Sequence, residues 1–297
     1  MTEPESPPSP PAERKTGPMR IVFGLIVVPL LVVLLCVGVF IGFGWIAYER
    51  QGVSDYVEDL KSFWPNRRWQ AAYELSKVLT ADPDALGKDP GALAEIRRQF
   101  ADPQTEPRAR RYLALVLGRA RDAEALPLLT QAAGSSQADG ETRVYALWSL
   151  GAIGDPAARR ALEEALADAD SGVRKTAAYA LGALGDRAAT AALQPLLADG
   201  VADVRWNAAL ALARLGDGSG APVLEQMLDR RLLRQVPGIT DEQAEEAMIQ
   251  AAPALAAVKG EAGREALHRL ATEDPSLKVR QAALAALDAL DHRLTAR

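Results

Sequence analysis

The chain has 297 residues, 48% apolar and 25% charged, with a formal net charge of −5, enough for one or two globular domains or one elongated array. An acidic body argues against a general binder of phosphate backbones, so no nucleic-acid partner is expected. The one cysteine, Cys36, lies in an apolar run, which excludes a disulfide or a zinc–thiolate site within a single chain.

Residues 1–20 are rich in Pro, Ser and Glu and cannot form a core, so a disordered tail is expected there. Residues 21–48 then run for 28 positions without a formal charge. As helix this stretch would reach about 42 Å, enough to cross a bilayer with tilt. Trp45 and Tyr48 stand where interfacial aromatics belong, with Arg20 and Arg50 flanking. The run is too long, and its end too bulky, for a cleaved signal peptide. The expectation is a single-pass transmembrane helix. Arg14, Lys15 and Arg20 against Arg50 and Lys61 place the C-terminal body on the exported (periplasmic or extracytoplasmic) side. Gly38 and Gly42, at GxxxG spacing, are a candidate homodimer contact.

In 49–66, Val53, Tyr56, Val57, Leu60, Phe63 and Trp64 recur at helical spacing, with Asp55 and Glu58 placed as a capping box. This short helix is expected to cap the near end of the C-terminal body. From 67 to 297 the sequence repeats itself. The phrase from Arg174 to Asp186 returns 31 residues earlier, from Arg143 to Asp155, and 31 later, from Arg205 to Asp217. Weaker copies begin at Arg68, Arg110 and Arg280. A fixed period of this size marks stacked supersecondary units, none able to bury its apolar face alone.

Counting the arginine as position 0, leucine recurs at +7 (Leu75, Leu117, Leu150, Leu181, Leu212), and small residues recur at +3 and +8. These share one side of a helix. Gly154, Gly185 and Gly216 suit a left-handed helix end, while Asp155, Asp186 and Asp217 can cap the next helix. Short amphipathic helices are expected at 157–167 and 188–198, and no strand pattern of useful length appears. The sixth unit departs: Met248 replaces the arginine, Pro253 falls inside the helix, and an insertion lies near 230–243, ended by a Thr240/Gln243 capping box.

The Val-Arg-x-x-Ala-Ala-x-Ala-Leu-Gly-x-Leu-Gly-Asp pattern, fullest at Val173–Asp186, resembles short HEAT-like repeats of the phycobilisome-lyase type. The resemblance implies an all-α, right-handed α-solenoid of about seven helix pairs. It also implies a structural ladder of Asp and Arg side chains, carried here by Asp168/Arg174, Asp199/Arg205 and Asp274/Arg280. Gln104 and Gln137 occupy the aspartate slot in two units, where the ladder should weaken. Among proteins of this fold, a phycobilin (tetrapyrrole) lyase is the alternative functional reading. A hydroxylase of this fold needs His-Glu iron pairs that the chain lacks, and a DNA glycosylase needs a basic concave face.

No catalytic, metal or cofactor motif is found: the only histidines are His268 and His292, and no phosphate-cradling loop or nucleophile elbow is present. What remains is surface. Positions +2, +5 and +9 lie opposite the buried leucines and are expected to face a concave groove. They bring forward Tyr73, Tyr112 and Arg119 from the first two units. Tyr145, Trp148, Tyr179, Asn207 and Arg214 come from the next three. Tyr, Trp and Arg are the composition of a protein-binding hot spot, although aromatics at helical spacing also fill gaps between repeats. Arg230, Arg231 and Arg234 make the insertion a second candidate contact. The expected function is a non-catalytic, membrane-anchored scaffold for a protein partner, possibly a membrane complex.

Overall fold

The computed structural model describes residues 27–47, 52–87 and 89–295. It divides into two units, 1–51 and 52–297. The first contributes one described helix, α1 (Val28–Ala47), on which Gly38 and Gly42 both fall. The membrane expectation is corrected here. It rested on an uncharged run of 28 residues, of which 21–26 and 48 lie outside the described residues. Among the described residues no helix is long and apolar enough to cross a membrane. The single-pass placement and the exported body fall with it.

The second unit is an all-α repeat solenoid. Among the described residues its helices are α2 (Val53–Asp59), α3 (Pro65–Ala81), α4 (Pro90–Ala101), α5 (Pro107–Arg119), α6 (Leu126–Gly134), α7 (Gly140–Ile153), α8 (Arg159–Ala165) and α9 (Ser171–Leu184). They continue as α10 (Thr190–Leu193), α11 (Ala202–Arg214), α12 (Ala221–Met227), α13 (Arg230–Leu233), α14 (Asp241–Lys259), α15 (Arg264–Glu273) and α16 (Leu277–Thr295). The arginine-bearing helices α3, α5, α7, α9 and α11, continued by α14 and α16, each pack on the next, forming an inner layer. The shorter helices between them form an outer one.

Each unit closes and reopens as its sequence dictates. Gly154, Gly185 and Gly216 take φ of 76°, 75° and 77°, the left-handed ends a residue with a Cβ resists. In the second unit that position is Arg121, at φ 51° without a glycine. The aspartate after each glycine accepts from the next turn, Asp155 from Ala157 N at 2.8 Å and Asp186 from Ala188 N at 3.0 Å. Each then leads into a 3-10 turn and the outer helix. After Leu193 the outer helix of the fourth full unit tightens to 3-10, because Pro195 has no N–H to continue the α-ladder. Pro253 does not break α14, which runs on to Lys259. At the near end the cap lies three residues earlier than expected: Gly52 N donates to Asp55 Oδ2 at 2.8 Å, so Asp55 is the third helical position and not the opening one.

The +7 leucines are fully buried, Leu75, Leu117, Leu150, Leu181 and Leu212 all at 0% exposure. Inner helices approach most closely at +8. A Cβ on Gly118 would lie 2.7 Å from Ser149 Cα, one on Gly151 2.8 Å from Ala180 Cα, and one on Gly182 2.8 Å from Ala211 Cα. The next position in the series is Ala213. There the core divides, with one cluster running from Val57 to Leu215 and a second from Ala209 to Leu287, both drawing on α11.

Charged rungs stitch the inner ends of the units together, with a connectivity that links repeats. Asp168 and Asp199 each take the arginine of the preceding unit. Asp199 receives Arg174 Nε and Nη2 at 2.9 and 3.1 Å, and Asp168 receives Arg143. Within a unit, the arginine donates to the aspartate's backbone carbonyl: Arg174 Nη1 to Asp168 O at 2.8 Å, and Arg205 Nη1 to Asp199 O at 2.7 Å. Where Gln137 fills the slot, Arg110 donates to the carbonyl of Asp102, at 2.8 Å, and meets no carboxylate within 4.0 Å among the described residues. The neighbouring Arg111 pairs with Asp139 at 2.8 Å instead. Asp274 receives not the missing arginine of the sixth unit but Arg230 from the insertion, at 2.8 and 3.1 Å.

Candidate functional site

The inner helices bring the predicted aromatic and cationic positions to one face. α5 supplies Leu115 and Arg119, α7 supplies Val144, Tyr145 and Trp148, and α9 supplies Lys175, Thr176 and Tyr179. With Asn207 from α11 they line a recess of about 530 Å³. Five of the eight predicted groove residues therefore meet in one place: Arg119, Tyr145, Trp148, Tyr179 and Asn207.

The other three extend it. Tyr73 and Tyr112 meet edge to face, ring centroids 5.1 Å apart, with Lys77 Nζ 5.2 Å from the centre of the Tyr73 ring. Arg214 lies over the Tyr179 ring at 5.1 Å. Arg119 lies 5.8 Å from the Trp148 ring and donates to the carbonyl of Ser76 on α3. Burial pulls the Arg119 guanidinium below its ordinary value. Asn207 Nδ2 turns back to Asp203 O at 2.8 Å along its own helix.

Exposure separates the two roles open to these aromatics. Tyr73 and Tyr179 keep 39% and 37% of their surface open, so they are available to a partner. Tyr112 and Tyr145 are half-buried and pack on the core, so they also fill the seam between repeats. Lys175 and Val144 went unread because they occupy position +1. A +1 residue stands one turn before +5 on the same helix face, which was the available signal.

The insertion builds a second recess, of about 800 Å³, beside the first. Arg205, Trp206 and Leu210 of α11 form one wall, and Leu232 with the turn Val236–Ile239 forms the other. Asn207 borders both recesses, so the groove continues across α11. The three loop arginines part ways. Arg230 is drawn inward onto Asp274, with side-chain exposures of 12% and 5%, and is spent on holding the fold. Arg234 is exposed and pairs with Asp241 at 3.2 Å, while the exposed Arg231 has no carboxylate within 4.0 Å among the described residues. The ladder residues Asp168, Arg174, Asp199, Asp274 and Arg280 lie outside both recesses. Arg205 borders the larger one and has no carboxylate rung of its own among the described residues.

Among the described residues, no group of three or more His, Cys, Asp or Glu side chains is placed to hold a metal ion.

HEAT repeats match residues 93–181 and 165–236. No curated protein matches the sequence significantly. Among solved structures, the chain is similar to the complex of CpcE and CpcF of phycocyanin lyase from Nostoc sp. PCC7120. The identity there is 22% and the TM-score 0.53, over 81% of this chain and 95% of that one. Human deoxyhypusine hydroxylase is similar at 23% identity and a TM-score of 0.35, over 81% and 96% of the two chains. A designed armadillo repeat protein in complex with the peptide (KR)4 is similar at 19% identity and 0.47, over 81% and 100%. The likeness to the lyase complex bears on the repeat fold alone.

Proposed function

We propose that the chain is a HEAT-like scaffold whose inner face holds an extended segment of a protein partner, with no chemistry of its own. The observation that supports this is the convergence of Arg119, Tyr145, Trp148, Tyr179 and Asn207, from four successive inner helices, on one open recess. Two of its aromatics are pre-stacked against arginines. Rigid aromatic and guanidinium groups gathered in a partly desolvated concavity carry most of the energy of typical protein interfaces. The dense packing of the inner layer positions them before a partner arrives, so little ordering remains to be done on binding.

Site-specific photo-crosslinking in cells tests this, with the probe at Trp148 and, as control, at Glu164 on the outer helix α8, where the side chain is 68% exposed. A protein captured at 148, missed at 164 and lost from a Tyr179→Ala chain supports the groove. The same diffuse set at both positions refutes it. The rival reading, a tetrapyrrole-handling protein, predicts a covalently bound visible chromophore on chain purified from its own cell.

A further inference from the structure

The recess between α5 and α9 is positively charged in a chain that is otherwise acidic. Its charged lining consists of Arg119 and Lys175, with no aspartate or glutamate, although the chain carries a net charge of −5. Several other half-buried guanidiniums meet carboxylates, Arg68 with Glu106, Arg97 with Asp122 and Arg143 with Asp168, while Arg110 and Arg205 take backbone carbonyls outside this recess. Arg119 meets none within 4.0 Å among the described residues. Asp84 shares a separate recess with it but stays beyond that distance. Arg119 has instead the Ser76 carbonyl and the Trp148 face. Arg214, over Tyr179, has no carboxylate within 4.0 Å among the described residues either.

Lys175 does touch Asp203, at 3.2 Å, but the pair is exposed, 44% and 52% for the two side chains. An exposed pair of this kind is weakly held and can be exchanged for a better-placed anion. An aromatic face leaves the charge of a guanidinium uncancelled and its N–H edge free to donate. Beside these cations the wall is apolar, formed by Leu115, Val144 and Trp148. A volume of about 530 Å³ lies in the range that encloses a small group of side chains.

We infer that the segment held in the groove is acidic: a partner carboxylate sits between Arg119 and Lys175, with an adjoining bulky apolar side chain against Trp148. The inference rests on the groove reading above and adds the chemistry of the occupant. Nucleic acid fits less well, because the groove continues into a recess whose walls carry Asp203 and Glu246.

Panning a random phage-displayed twelve-residue library on the full chain tests it. Selected sequences should be enriched in Asp and Glu beside Leu, Phe or Trp. Synthetic copies of them should bind about tenfold more weakly when the acid is replaced by its amide. Lys175→Glu, with its circular dichroism spectrum checked against wild type, should lower their affinity at least as much, and panning on that variant should shift selection toward Lys and Arg. Arg119→Gln should give the same loss, with its circular dichroism spectrum checked against wild type.

Selected peptides that depend on Trp148 but show no acidic preference overturn the inference and leave the groove standing. Peptides indifferent to Trp148→Ala overturn both. A single-stranded RNA that binds with the same dependence on Arg119 and Lys175, where acidic peptides do not, overturns the inference in favour of a phosphate ligand.

Discussion

Replacing Gly151 by alanine tests the spacing of the inner layer, because two well-known effects oppose each other there. In a helix interior, Gly→Ala gains about 1 kcal/mol from propensity. The new Cβ, however, would stand 2.8 Å from both Cα and Cβ of Ala180 and 3.0 Å from its carbonyl oxygen. Carbon atoms prefer roughly 3.5–4.0 Å, and backbone atoms cannot rotate aside, so α7 and α9 must separate along their length. Overpacking of this kind costs up to about 3 kcal/mol. The net expectation is a loss of about 2 kcal/mol, and for a body of this size a fall in Tm of roughly 4–8 °C. Gly134, at the end of α6, is the control: nothing lies within 4 Å of its would-be Cβ, and its φ is not positive. Gly134→Ala should raise Tm by about 2 °C. Thermal scans monitored by far-ultraviolet circular dichroism decide it. If Gly151→Ala stabilises as Gly134→Ala does, the close approach of the helices is wrong.

Arg121 occupies the left-handed position that its sister units give to glycine, so Arg121→Gly should stabilise by about 1 kcal/mol in urea titration. A loss would mean that the Arg121 side chain matters more than its backbone. Arg230→Met should cost about 3 kcal/mol, because it strands Asp274 at 5% side-chain exposure, and hydrogen exchange should localise the loss to α14–α16. Hydrogen bonds from Arg143 and Arg174 hold the carboxyls of Asp168 and Asp199 below their usual range. A depressed folded pKa means that the unfolded chain binds more protons. Their stabilisation is therefore present above the unfolded value, about pH 3.9, and fades as pH falls through the folded values. Asp168→Asn with Asp199→Asn should lower stability at neutral pH and flatten its acid dependence. An unchanged acid limb would show that the rungs contribute nothing.

The repeat phrase made the fold legible because each of its letters has one local job. The +7 leucine can only be core, Gly154 and Gly185 can only end a helix, and Asp155 and Asp186 can only start the next turn. Legibility failed where two spacings satisfy the same pattern. An aspartate six residues before its own arginine is, by the repeat period, also 25 after the previous one. Only three-dimensional packing shows that Asp199 serves Arg174 with its carboxylate and Arg205 with its carbonyl. It failed again where register is lost: Arg230 sits in an insertion with no repeat position, so its inward role carried no periodic mark. The aromatic groove was half-legible. Positions +2, +5 and +9 pointed to Trp148 and Tyr179, but the cation opposite Arg119, Lys175, stands at +1. The apolar run of 21–48 misled because an uncharged stretch reports composition, and the helix described within it, Val28–Ala47, is not long and apolar enough to cross a membrane.

The bare glycines at +8 work as a gauge. Gly118, Gly151 and Gly182 let four inner helices close to one common pitch, so α5, α7, α9 and α11 form a stiff block with no slack between its plates. Ala213 ends the series, the core splits at the same helix, and the insertion follows after α12. This packing predicts that the array yields between α11 and α14 before it yields within α5–α11. Bending between α11 and α14 would leave the aromatic recess unchanged and alter the larger one beside it, whose walls belong to α11 and to the insertion. Scattering profiles that narrow on clamping Trp206 to Ile239 with an engineered disulfide, and not on clamping within α5–α9, would locate that motion.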